Sequence, residues 1–189
     1  MKKLALITIT VILTNLNYIY AQTPAATRVN RQQILLTVQG FIKWYKANRP
    51  YLDTIRLIQG GAPDSTTRPS IDWDGVERFL AKIDRSGFVT AAYLNTHREY
   101  FKQIDKNLEG FKLTSELIKI NGMDMDFVLR THEPDEILQK LIKGNAKIFS
   151  ADGKKAYVGY ELYPNTRLLF DLSYHKKWQI EAINYDSFK

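Results

Sequence analysis

The apolar residues of this 189-residue chain change their spacing past Gly122, where a helical repeat gives way, after one more short helical stretch, to alternation from Lys147. That switch restricts the fold more than any other feature. Ile34, Leu35, Val38, Phe41, Ile42 and Tyr45 share one face of a 3.6-residue repeat and predict a helix from Asn30. Pro50 is expected to stop or kink it, with a short helical continuation through Leu52, Ile55 and Ile58. The Gly- and Pro-containing stretch Gln59 to Ser70 is read as a loop. A second helix starts near Asp74, with Val76, Phe79, Leu80 and Ile83 inward, and Ser86-Gly87 interrupts it. A third starts near Thr90, a residue suited to cap it, carries Leu94, His97, Phe101, Ile104 and Leu108 on one face, and ends at Gly110.

Past Gly122 the reading turns to strands. Met125 to Arg130 is expected to be a short strand, and Pro134 to Lys143 a short helix with Ile137, Leu138, Leu141 and Ile142 inward. From Lys147 onward, Ala156, Val158, Tyr160 and Leu162 alternate with Tyr157, Glu161 and Tyr163. Leu168, Phe170 and Leu172 alternate with Arg167 and Asp171, and Trp178, Ile180 and Ala182 with Gln179 and Glu181. Ala151 to Lys154, Pro164-Asn165 and Tyr174 to Lys176 supply the turns. Turns this short force antiparallel neighbours. Helices followed by such strands predict an α+β domain, its N-terminal helices packed on one face of an antiparallel sheet.

The front end reads as an export signal. Lys2 and Lys3 precede an apolar stretch, and Ile19-Tyr20-Ala21 places a small residue at a cleavage position. Asn15 and Asn17 end that stretch short of the roughly 20 residues a bilayer span needs. The expected organisation is thus a signal peptide over 1–21, an arm over 22–29 and one domain over 30–189, periplasmic or secreted, with no membrane span after cleavage. The chain has no cysteine, so disulfides, thiolate-bound metals and thiol nucleophiles are excluded. Its net charge of +7 is dispersed among acids, which argues for a solvated surface rather than a nucleic-acid interface.

The segments Phe41-Ile42-Lys43-Trp44-Tyr45, Thr90-Ala91-Ala92-Tyr93-Leu94 and Asp124-Met125-Asp126 precede a meander closing on Trp178-Gln179-Ile180-Glu181-Ala182-Ile183. In that order they resemble small exported bacterial domains of unknown function with a cystatin-like, or nuclear-transport-factor-two-like, α+β roll. The resemblance runs from about Gln32 to Tyr185. It implies a curved sheet wrapped on a long helix around a cone-shaped cavity, which relatives use for isomerisation, dehydration or binding alone. Phe127 and Thr131-His132-Glu133 depart from the proline and the polar pair those relatives carry.

No nucleophile elbow, phosphate loop or dinucleotide fingerprint is present. Asp124 and Asp126, with His132 and Glu133, fit neither a calcium loop nor a His-Glu-x-x-His zinc helix, and no metal or other cofactor is expected. His97 lies on an apolar helix face, where a core histidine is the commoner occurrence and a catalytic base the rarer. The expected ligand-contacting residues are Tyr93, His97, Asp124, Asp126 and Trp178. Trp44, Tyr157 and Tyr163 are the expected partner-facing aromatics, because Tyr and Trp bury much area with few rotors. The function expected is non-catalytic binding of a small envelope ligand or a protein partner, of inhibitor or immunity type, with homodimerisation left open. The alternative is a small isomerase or dehydratase using His97 and an Asp.

Overall fold

A computed structural model describes residues 23–61, 67–110, 120 and 122–187, with side chains from residue 31 onward. The signal-peptide reading of residues 1–21 lies outside the described residues. The element order is α1 (Thr23–Leu52), β1 (Ile58–Gln59), β2 (Ser70–Ile71), α2 (Trp73–Asp84), α3 (Ala91–Glu109), α4 (Pro134–Lys143), β3 (Lys147–Ala151), β4 (Lys155–Tyr163), β5 (Thr166–Tyr174) and β6 (Trp178–Ser187). The chain is therefore α+β. No helix among the described residues is long and apolar enough to cross a membrane.

The strands β3 to β6 form an antiparallel meander in sequence order. Ala156, Val158, Tyr160 and Leu162 of β4 join Leu168, Phe170 and Leu172 of β5 on the buried face, while Tyr157, Glu161 and Tyr163 are exposed. One wet and one dry face is the pattern expected of an antiparallel sheet with helices on one side. The α1 face of Ile34, Val38, Phe41, Ile42 and Tyr45 is buried in the same core, and α1 contacts β3, β4 and β6. At the start of β6 the sheet edge is closed by Val89, which bridges to Ile180 in parallel. Gln179 Nε2 donates to Val89 O at 2.7 Å, so a side chain continues the ladder there.

Five expectations need correction. Residues 23–29, read as an arm, are helical, since α1 begins at Thr23. Pro50 lies inside α1, where its missing N–H costs one bond near the end of the helix, and the helix stops at Leu52. The expected continuation is replaced by a turn, in which Thr54 N and Ile55 N donate to Tyr51 O and Leu52 O. Ile58 and Gln59 then pair with Ile71 and Ser70, pinning the two ends of the expected loop. Met125 to Arg130 is a turn rather than a strand. There the Asp126 carboxylate accepts from Val128 N at 3.0 Å and Leu129 N at 2.7 Å, taking amides a ladder would need.

The fourth correction is Ile142, which is 43% exposed because it sits past the edge of the face formed by Ile137, Leu138 and Leu141. The last is Ala182. Asp171 pairs with Ala182 while its neighbour Leu172 pairs with Ile180, so Glu181 is an extra residue in β6. This bulge shifts the alternation by one, and Ile183 occupies the core position that regular spacing assigned to Ala182.

Candidate functional site

A cavity of about 110 Å³ lies between α3, the turn that follows Gly122 and the bulged part of β6. Tyr93, Thr96, His97 and Tyr100 form its helical wall, spaced at i, i+3, i+4 and i+7 so that one helix face presents all four. Thr90 sets the start of that face, because its Oγ1 caps α3 by accepting from Tyr93 N at 3.2 Å. Met125, Phe127, Val128 and Arg130 make the second wall, and Glu181 to Asn184 the third. The bulge that turns Ile183 inward thus also shapes the site, a common use of such irregularities.

The turn is held from two sides. Gly122 has φ +86°, and its carbonyl accepts from Tyr100 Oη at 2.9 Å. Asp126 N donates to Thr131 O at 2.8 Å, closing the turn at its base. Behind it, Tyr45 Oη donates to Asp126 Oδ2 at 2.5 Å, and Arg49 Nε lies 3.6 Å from the same oxygen. Burial raises the Asp126 carboxyl above the usual range, against the hydrogen bonds from Tyr45 and the backbone and the Arg49 charge. Burial and the neighbouring Asp126 raise the Tyr45 phenol, so it stays a proton donor. Arg130 closes the turn with φ +52°, a left-handed conformation uncommon for a residue with a side chain.

Among the polar side chains that line the cavity, Tyr93 is buried and His97 half-buried. Tyr93 is 3% exposed, and its hydroxyl finds no hydrogen-bond partner among the described residues. Burial first, and Asp126 second, keep that phenol protonated. His97 packs edge-on against the Tyr93 ring with centroids 4.6 Å apart. Burial, helped by the Arg130 charge, lowers its pKa to about 4, so the imidazole is neutral near pH 7. Glu181, the carboxylate in the lining, is paired with Lys155 Nζ.

Of the residues expected to contact a ligand, Tyr93 and His97 stand in one cavity wall. Asp126 lies behind that wall, with its oxygens turned to Tyr45 and the backbone. Asp124 is exposed, and its carbonyl lies 3.0 Å from His132 Nδ1. Trp178 is buried against Tyr174 at the far end of β6, apart from the cavity lining. Among the described residues no group of three or more His, Asp or Glu side chains is arranged to hold a metal ion. Of the expected partner-facing aromatics, Tyr157 is 44% exposed and Trp44 is half-buried on Phe41. Tyr163 donates to Glu136 Oε1 at 2.8 Å and carries Lys140 Nζ over its ring. Sequence reasoning missed Arg130, Tyr45 and the lining role of Glu181 to Asn184. The first depends on a backbone angle, the second on a contact across 81 positions, and the third on a register shift.

No family model matches the chain, and no curated protein or solved structure is significantly similar to it.

Proposed function

We propose that this is an exported binding domain that holds a small molecule between α3, the turn after Gly122 and β6. The carrying observation is the Tyr93 hydroxyl, which is buried in the cavity wall with no hydrogen-bond partner among the described residues. An unsatisfied buried hydroxyl costs about 1–3 kcal/mol, and an acceptor on a ligand removes that cost. The mostly apolar lining with a few converging polar groups is the usual composition of a ligand site. Binding is favoured over isomerase chemistry by the state of Asp126. Its oxygens already accept from Tyr45, Val128 and Leu129, whereas a general base needs its carboxylate in reach of the substrate. The reading includes a cystatin-like or nuclear-transport-factor-two-like roll, supported by the long α1 across the meander and by a bulge in each of its three ladders. Bulges increase twist and bend strands, as a sheet curling round a cavity requires. Export rests on the Lys2-Lys3 and apolar segment ahead of Ala21.

The test is a thermal-shift screen of the protein against small amphipathic molecules, repeated on Tyr93→Phe. A true ligand at about one hundred times its Kd stabilises by about 2.7 kcal/mol. For a domain of this size that is a rise of roughly 5–10 °C, reduced in the variant. A screen in which no compound shifts the wild type would overturn the proposal.

A further inference from the structure

Resting on that binding reading, we infer that the ligand is a small organic anion, a carboxylate on an apolar body no larger than about one ring or a short alkyl chain. The juxtaposition behind this is the Arg130 guanidinium at the cavity with the unpartnered Tyr93 hydroxyl in the adjoining wall.

Arg130 is held in the left-handed region at φ +52°. Backbone placed there is unfavourable and persists only where its surroundings over-determine it. Here they do, since Asp126 ties down the amides of Val128 and Leu129, and the Asp126–Thr131 bridge closes the turn. The outcome is an arginine whose backbone is fixed at the cavity and whose exposed side chain lines its mouth. Its Nη1 donates to Asn184 Oδ1 at 3.5 Å, and it forms no ion pair with a carboxylate among the described residues. Glu181 does not fill that role, being paired with Lys155.

Around this cation the wall offers donors. Tyr93 presents an O–H, and neutral His97 presents one N–H and one lone pair. A planar carboxylate matches the fork of an arginine and takes a further bond from a hydroxyl. A neutral amide satisfies the hydroxyl but leaves Arg130 without a counter-charge, and an ammonium ligand meets repulsion. The size follows from the volume, since a closed apolar cavity of about 150 Å³ accepts benzene. The space here is about 110 Å³. It suits a few carbons, or a ring seated partly in the mouth, with the charged head beside the exposed Arg130.

The experiment is calorimetric titration of the whole chain with hexanoate and benzoate, each paired with its neutral amide. The acids are expected to bind about tenfold more tightly than the amides, a preference that Arg130→Gln abolishes and Arg130→Lys partly retains. Rising salt should weaken the acids and leave the amides unchanged, a readout that needs no variant. Equal affinity for acid and amide, or a preference that survives Arg130→Gln, overturns the inference and leaves the binding reading standing. Failure of both acids and amides to bind overturns the two together.

Discussion

Burial sets the charge of His97, and the same burial makes it a source of pH-dependent stability. Its folded pKa of about 4 lies below the ordinary histidine value of 6.5, so between these limits the unfolded chain binds more protons than the folded one. Stability from this group is full above pH 6.5 and is lost as pH falls toward 4. The expected loss between pH 7 and pH 5 is about 2 kcal/mol, and His97→Gln should remove most of it in urea titrations at the two values. Asp126 has the opposite sign. Its folded pKa is raised, so its ionisation lowers stability as pH climbs above the ordinary carboxylate value. An unchanged pH slope in the histidine variant would mean that His97 is solvated. Tyr93→Phe removes a hydroxyl with no partner among the described residues, so Tm should hold or rise, by up to about 1 kcal/mol in stability, while ligand affinity falls. Calorimetry with and without ligand separates the two effects. Both side chains were legible in the sequence, because their four-residue spacing places them on one helix face. Arg130 was not, since nothing in its neighbours' identity announces a positive φ.

At the level of elements, the caps and close approaches decide where the walls of the cavity stand. Asp72 Oδ1 accepts from Gly75 N at 3.0 Å to start α2, and a Cβ at Gly75 would lie 1.9 Å from Arg56 O. That neighbour is backbone, so Gly75→Ala must displace the 56–57 segment from α2, and a loss of about 3 kcal/mol is expected in denaturant titrations. Gly122 adds a different constraint, since its φ of +86° disfavours any side chain and its place beside Tyr100 Oη leaves no room for one. Thr90→Ala should cost about 1 kcal/mol and loosen the first turn of α3, visible as faster amide exchange at Tyr93 and Leu94. Helices α2, α3 and α4 were legible from their 3.6-residue rhythm, with Thr90 and Gly110 also marking the two ends of α3. The turn at 125–130 was misread as a strand because its apolar residues resemble one, while the side chain of Asp126 captures the amides. Alternation could not reveal the bulge either, since one extra residue leaves composition untouched.

For the whole molecule, the meander ranks its strands by how well they are covered. Strand β5 is paired on both sides, whereas β3 is a short, mostly exposed edge whose Phe149 is 46% exposed. Amide exchange should therefore be slowest in β5 and fastest in β3, and equal protection of the two would contradict this topology. That helices roof one face of an antiparallel sheet was legible in the passage from helical spacing to alternation, complete at Lys147, but the position of the cavity was not. The hollow exists where three separate pieces of chain meet, and one of them is aimed by Glu181, the supernumerary position of β6. A homologue shorter by that single codon would keep Ile183 opposite Phe170 in an unbroken ladder, but would lose the bend that aims this strand at the hollow. Chain length between Ile180 and Tyr185 is thus a genetic marker for the hollow, readable in any related gene without a structure.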